Sequence, residues 1–281
     1  SSSTQDEEAK VDDAYIMSTL AEIKKLGYDV NKDGLTVQTN LNQKVQDRAY
    51  AIGNTADYVN WKDDDMQVGM TVTDPNNGKV IAQLGGRNLT ALQGTNRATN
   101  TVRSSGSTAK PIVDYGPAVE NLGWSTNHLV LDTPYTYPGT NIQPNDWDHK
   151  FMGSMTMRNA LAQSRNLPAI RTLQEGGYTK SLEFLKKLGI DIPANEMVGS
   201  SAIGINVSTE QEAAAYAAFA NGGTYYRPQY ISKITEQSGV VKDYKAEGST
   251  AMKSSTAFML TNMMKSVITD SYAKMINTNA Y

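Results

Sequence analysis

Arg103-Ser104-Ser105-Gly106-Ser107-Thr108-Ala109-Lys110-Pro111 is the stretch of this sequence whose reading decides the fold. The spacing from Ser107 to Lys110 brings a hydroxyl and an ammonium together across one helical turn, near enough for a proton to pass between them. Gly106 allows tight backbone approach just before the serine. Pro111 has no N–H and a fixed φ, which a first helical turn tolerates and a helix interior does not. Capping by Thr108 would put Lys110 and Pro111 at the second and third helical positions. Ser107 would then lie at the helix mouth, where unpaired amides favour developing negative charge. A serine hydroxyl needs a base within hydrogen-bond reach to act as a nucleophile. A lysine, with its ordinary pKa of about 10.4, serves only when desolvated or set beside another cation.

The second triplet is Ser164-Arg165-Asn166. Alone it reads as a polar helix cap before Leu167-Pro168. Beside the first stretch it adds a hydroxyl able to relay a proton to a leaving nitrogen. It also adds an amide able to hold either a substrate carbonyl or Lys110 itself. Residues 132–150, rich in Pro, Tyr, Asn and Asp, read as an irregular rim over a groove, and enclosure under it would desolvate the lysine. Together these features point to serine-based acyl transfer.

The 281 residues can bury a full core, and a net charge of -3 leaves no electrostatic footprint for nucleic acid. The absence of cysteine removes disulfides, thiolate nucleophiles and cysteine-bound zinc. His128 and His149, the two histidines, stand singly in loop-like sequence and read as surface residues. The methionines read as core filler. Asp63-Asp64-Asp65 reads as a solvated turn. No run is long and apolar enough for a membrane span, and Ser1–Glu8 reads as a solvated lead-in.

Apolar periodicity predicts helices over 9–28 and 41–49 with a strand over 34–39 between them. Met66–Thr73 and Lys79–Gly86 form a hairpin about Asp74-Pro75-Asn76-Asn77-Gly78. Helical patterns follow at 156–163, 168–175, 180–188 and Thr209–Asn221, the last stopped by Gly222-Gly223. A hairpin over 230–244 and a helix over Thr256–Val267 close the pattern. Phe258, Leu260, Met263, Met264 and Val267 are available for the core face of that helix. Strands towards both ends with helices between predict an α+β fold, one antiparallel sheet with helices segregated around it.

The residues carry a family resemblance. Arg103–Pro111 and Ser164-Arg165-Asn166, with Gly78–Ala82, Tyr137–Thr140, Asn145-Asp146-Trp147 and Asn221-Gly222-Gly223-Thr224, resemble the transpeptidase region of class A, bifunctional penicillin-binding proteins. The similarity is greatest to the streptococcal kind among Gram-positive bacteria and runs from about Tyr15 onward. It implies the fold shared by penicillin-binding proteins and serine β-lactamases. It implies residues 1–55 as an interdomain lead-in and 56–281 as the transpeptidase domain. Ser107 would be acylated by the penultimate D-alanine of a peptidoglycan stem peptide, and by β-lactams. Lys110 would be the base, with Ser164 and Asn166 around it. Thr108, Arg165, Trp147 and Thr224 are the expected substrate-binding residues, and no cofactor or metal is implied.

The family's third motif, Lys-Thr/Ser-Gly on a sheet-edge strand, does not occur in these 281 residues. Residues Ser271–Tyr281 fall where the chain should approach that strand. The expectation is a second polypeptide that carries the remaining C-terminal strands and this motif, left by a nick, without which the chain is inactive. The resemblance also implies a membrane anchor and a glycosyltransferase domain before residue 1, which would place this region outside the cell. A serine β-lactamase would need a deacylating base after the second motif, and neither Glu175 nor Glu183 sits in such a loop. A β-lactam-binding sensory module without cross-linking activity is the other alternative.

Overall fold

The computed structural model describes residues 2–271. Residues 272–281, on the approach to the anticipated further strand, lie outside the described residues. In chain order come α1 (Ser2–Lys25), β1 (Thr36–Thr39), α2 (Gln43–Asn54), β2 (Met70–Thr73), β3 (Val80–Leu84) and β4 (Arg103–Ser104). A 3-10 turn over Gly106–Ala109 and a π-helical turn over Lys110–Tyr115 lead into α3 (Gly116–Leu122). β5 (Leu129–Asp132) and β6 (Gly153–Thr156) precede α4 (Met157–Ala162), α5 (Asn166–Gly176) and α6 (Tyr178–Lys187). Then follow β7 (Asn206–Val207), α7 (Thr209–Ala220), β8 (Thr224–Tyr226), β9 (Ile231–Thr235), β10 (Val241–Asp243), β11 (Gly248–Thr250) and α8 (Ser254–Thr269). The chain divides into two compact units.

The first unit comprises Ser1–Val102, Val207–Ala217 and Tyr226–Gly248. α1 begins earlier than its apolar pattern suggests. Glu7 and Glu8 are good helix formers, and Glu7 pairs with Lys10 at 2.9 Å one turn on. β1, β9 and β10 form a three-stranded sheet with β9 central, antiparallel to both neighbours. β2 and β3 form the hairpin, with Met70 opposite Leu84. Tyr15, Ile23, Val80, Tyr230, Ile231 and Ile234 make the core between α1 and these strands. Polar side chains inside this unit satisfy one another. The Gln46 side chain accepts from the Gln83 amide and donates to its carbonyl, each at 2.8 Å, and Gln83 in turn meets Ser18, Asn96 and Tyr230. A buried amide is tolerated because it is fully bonded.

The second unit comprises Arg103–Asn206, Ala218–Tyr225 and the described residues from Ser249 onward. Its centre is the segment from the 3-10 turn into the π turn, where Ala109 to Gly116 are all buried, with α3, α5 and α6 packed on it. Thr108 is not the cap anticipated. It lies within the 3-10 turn and its hydroxyl donates to Ser105 O at 2.7 Å. The π turn ends at Gly116, whose N–H bonds back to Pro111 O. A Cβ there would sit 2.5 Å from that oxygen and 2.7 Å from the Phe184 ring, so only glycine fits.

The α+β class holds, and the described strands fall into a three-stranded sheet and separate two-stranded pairings, antiparallel in β1–β9–β10, β2–β3 and β5–β6. One side-chain expectation is corrected. In α8 the buried stripe is Thr256, Ala257, Leu260, Met263 and Ser266. Phe258 is 71% exposed, since it lies two residues, about 200° of helix rotation, from both Thr256 and Leu260. Arg158 on α4 ties the two helices, donating to Asn262 O at 3.1 Å and Asn262 Oδ1 at 2.6 Å on α8.

Candidate active site

The 3-10 turn presents Ser107 at the surface and turns Lys110 inward, where its side chain is 1% exposed. The Lys110 ammonium donates to Ser107 Oγ at 3.3 Å, Ser164 O at 2.8 Å, Ser164 Oγ at 2.9 Å and Asn166 Oδ1 at 2.9 Å. Burial lowers its pKa to about 8. A negative charge on the Asp114 or Asp146 carboxyl would act in the opposite direction, and the Arg165 guanidinium assists the lowering.

Ser164 and Asn166 reach the lysine through the junction of α4 and α5. α4 ends in a Schellman turn: the Ser164 amide bonds Leu161 O at 3.0 Å and the Arg165 amide bonds Ala160 O at 2.9 Å. Such a turn needs a left-handed residue, and Ser164 takes it with φ of 50°. α5 then begins at Asn166 without a cap from its own N-cap residue, Arg165. Asp146 caps it from the 132–150 segment, where its Oδ1 accepts from the Asn166 amide at 2.6 Å and the Leu167 amide at 3.3 Å. The Asn166 side-chain amide donates to Asn145 O at 2.8 Å, which leaves its oxygen facing Lys110.

Arg165 lies between these two residues and points the other way. Its guanidinium is 1% exposed and bonds Asp132 at 2.8 Å, Asp148 at 3.0 Å, Asp146 at 3.3 Å and Lys150 O at 2.7 Å. The carboxyls respond differently. Burial, and then the Asp132 carboxyl, raises Asp146 to about 6. The Arg165 hydrogen bond holds Asp148 below its ordinary range. This cluster ties β5 and the rim segment to the start of α5.

A cleft of about 400 Å³ opens over these groups, lined by Ser107, Trp147, Ser164 and Asn166. Trp147 is 62% exposed and its indole N–H donates to Gln163 O at 2.9 Å, so one ring face is presented as a wall. The anticipated residues Ser107, Lys110, Ser164, Asn166 and Trp147 thus converge. Thr108, Arg165 and Thr224 are not in the lining. Thr108 is turned to Ser105, and Arg165 is committed to its carboxylates. The Thr224 backbone closes a turn with the Asn221 side chain, at 2.8 Å through its N–H and 2.7 Å through its carbonyl. Sequence reading missed Asp132, Asp146 and Asp148 as a unit. All three lie in the 132–150 stretch it had marked as a rim, and nothing in their spacing names Arg165 as the shared partner.

With an amine, two hydroxyls and an amide at one cleft, the arrangement suits acyl transfer through serine. The Penicillin binding protein transpeptidase domain family matches residues 68–280, and the chain belongs to that family. It is 44% identical over 269 residues to penicillin-binding protein 1A of Streptococcus pneumoniae, covering 91% of this chain and 37% of that protein. It is 38% identical over 264 residues to penicillin-binding protein 1A/1B of Bacillus subtilis, covering 91% of this chain and 28% of the relative. The chain therefore spans well under half the length of these relatives. Among solved structures it resembles the PonA1 protein of Mycobacterium tuberculosis in complex with penicillin V. The TM-score is 0.77 and the identity 22%, covering 91% of this chain and 71% of that one. Penicillin-binding protein 1A of Haemophilus influenzae gives a TM-score of 0.63 at 24% identity, covering 73% of this chain and 36% of that one. These likenesses show the same α+β fold.

Removal of Asp146 should test the scaffold. Asp146→Ala leaves the Arg165 charge short of a buried partner and the start of α5 uncapped, a loss of about 3–5 kcal/mol by analogy with other broken buried pairs. Urea denaturation measures it. A loss below about 1 kcal/mol would mean that the remaining carboxylates hold Arg165 and α5 unaided.

Proposed function

We propose that the chain is the serine D,D-transpeptidase part of a peptidoglycan-cross-linking enzyme, with Ser107 as nucleophile and Lys110 as its base. The observation that carries this reading is the buried Lys110 amine 3.3 Å from the Ser107 hydroxyl. With a pKa of about 8, roughly a tenth of the lysine is neutral near pH 7. That neutral amine takes the Ser107 proton while Oγ attacks the carbonyl carbon of the penultimate D-alanine. The C–N bond to the terminal D-alanine then breaks, and the leaving nitrogen receives the proton through Ser164. An amine from a neighbouring stem attacks the ester, its proton returns through the same groups, and the carbon–Oγ bond breaks to restore Ser107. Water in place of the amine gives carboxypeptidase activity. General-base assistance of this kind contributes roughly 10²–10⁴ in rate.

Asn166 holds the lysine and borders the cleft, and Trp147 offers an apolar wall for the substrate. A β-lactam acylates Ser107 because its strained amide resembles D-Ala-D-Ala, a reading supported by the penicillin V complex of the PonA1 protein. The substrate carboxylate and one oxyanion amide fall to the Lys-Thr/Ser-Gly motif, which a segment outside these 281 residues supplies, in our reading as a second polypeptide. We assign residues 56–281 to the transpeptidase domain and 1–55 to the lead-in. No described helix is long and apolar enough to cross a membrane. We further propose an N-terminal anchor and a glycosyltransferase domain in the whole protein, with this part outside the cell, a reading that rests on the family resemblance.

Penicillin should add one drug mass to Ser107 in the full-length protein, and Ser107→Ala should abolish the adduct. Lys110→Arg keeps the charge but cannot accept a proton, so acylation should fall at least about 100-fold. Undiminished acylation of that variant would remove the base role from Lys110. The second-order acylation rate should rise about tenfold per pH unit and level off above about 8, because only the deprotonated lysine serves. A flat profile below that pH would mean another group takes the proton. A penicillin too polar to enter the cytoplasm should label intact cells, and labelling only after lysis would reject the extracellular placement.

A further inference from the structure

Asp114 lies four residues after Lys110, inside the π turn and one helical turn deeper than the amine. It is 1% exposed, and neither carboxyl oxygen has a hydrogen-bond partner. The contrast with the neighbouring acids is sharp. Asp132 and Asp146, equally buried, face the Arg165 guanidinium and accept backbone amides. An ionised carboxylate sealed from water without a donor is among the costliest arrangements a protein can hold, whereas a neutral acid is far cheaper.

We propose that Asp114 is a positioning residue that acts through Lys110, held as a neutral carboxylic acid beneath the amine so that no anion there strengthens the lysine's grip on its proton. The inference rests on the reading of Lys110 as base. Lys110 and Tyr115 on its own segment, and Arg165, Asp132 and Asp146 from the cluster at the start of α5, are the titratable groups nearby. From α6 comes the Ser181 hydroxyl, already given to Val113 O at 2.7 Å. Of these, the Lys110 charge is the one that favours ionisation of Asp114. Burial outweighs it and keeps the acid well above the ordinary carboxylate range. The relation is reciprocal: the Asp114 charge is first among those that would raise Lys110. A protonated Asp114 therefore keeps the lysine a usable base near neutral pH.

The test uses the full-length protein with Asp114→Asn, which mimics the neutral acid, and Asp114→Leu, which replaces it by a larger apolar side chain of the same branching. The infrared spectrum near pH 7 should contain the carbonyl stretch of a protonated carboxylic acid that disappears in Asp114→Asn. A folded-state pKa above the unfolded one makes the wild type lose stability as pH rises from about 4, since the unfolded chain then releases a proton that the folded one retains. The melting temperature of each variant relative to wild type should accordingly increase between about pH 4 and pH 7. The pH midpoint of penicillin acylation in Asp114→Asn should stay within about half a unit of wild type.

Three results would overturn the proposal. One is the absence of the infrared band. Another is a destabilisation of both variants that grows with pH, which would mark Asp114 as a bonded anion. The third is an acylation midpoint about one unit lower in Asp114→Asn, which would show an ionised Asp114 beside Lys110 in the wild type. If Ser107 is not acylated at all, the base reading fails, while the infrared band and the melting curves still report the state of Asp114.

Discussion

A buried ammonium must find acceptors, and the second unit is arranged around that requirement at Lys110. Its amine has no access to water, so a hydroxyl, a carbonyl and a side-chain oxygen from a distant junction take the place of solvent. Those acceptors come from the joint between two helices. The joint is itself held by Asp146 from an irregular segment, and Asp146 shares Arg165 with a carboxylate at the end of β5. The site is thus a chain of dependencies: strand end, ion cluster, helix start, amine, serine.

The two ion systems differ in how they tolerate burial. Arg165 keeps its charge because three carboxylates and a carbonyl surround it in the plane of its fork. Lys110 meets only neutral oxygens, which stabilise a cation less well than carboxylates do. Its proton is therefore loosely held. Arg165 serves as a fixed structural charge, and Lys110 is left able to change state.

Much of this was legible in the sequence, for identifiable reasons. Helices such as α2, α5, α6 and α7 declared themselves through apolar spacing and through stops such as Gly222-Gly223, both with positive φ. The convergence of Ser107, Lys110, Ser164 and Asn166 was readable because the chemistry restricts which residue types can sit there. The π turn was not readable. A helix that widens by one residue carries no distinct composition, and here it follows from packing around Gly116. Arg165 was expected as a substrate contact through the family resemblance, and the structure commits its guanidinium elsewhere. Its burial depends on carboxylates at 132, 146 and 148 that only the folded chain gathers. Phe258 was misplaced for the opposite reason: its hydrophobicity suggested a core position that the helix's rotation denies it.

Ser164 shows what it means for one position to answer to both backbone and chemistry. Its left-handed φ belongs to a turn that ordinarily takes glycine, and other side chains tolerate that conformation at roughly 1–2 kcal/mol. Glycine would keep the backbone and delete the hydroxyl. Asparagine or aspartate would accept the φ but replace the hydroxyl with a larger planar group. Threonine would keep the hydroxyl, yet its branched Cβ makes it one of the residues least suited to a positive φ. No neighbouring choice preserves both properties. If Ser164 relays the proton as proposed, the shape of the turn and the chemistry of the cleft constrain one and the same side chain.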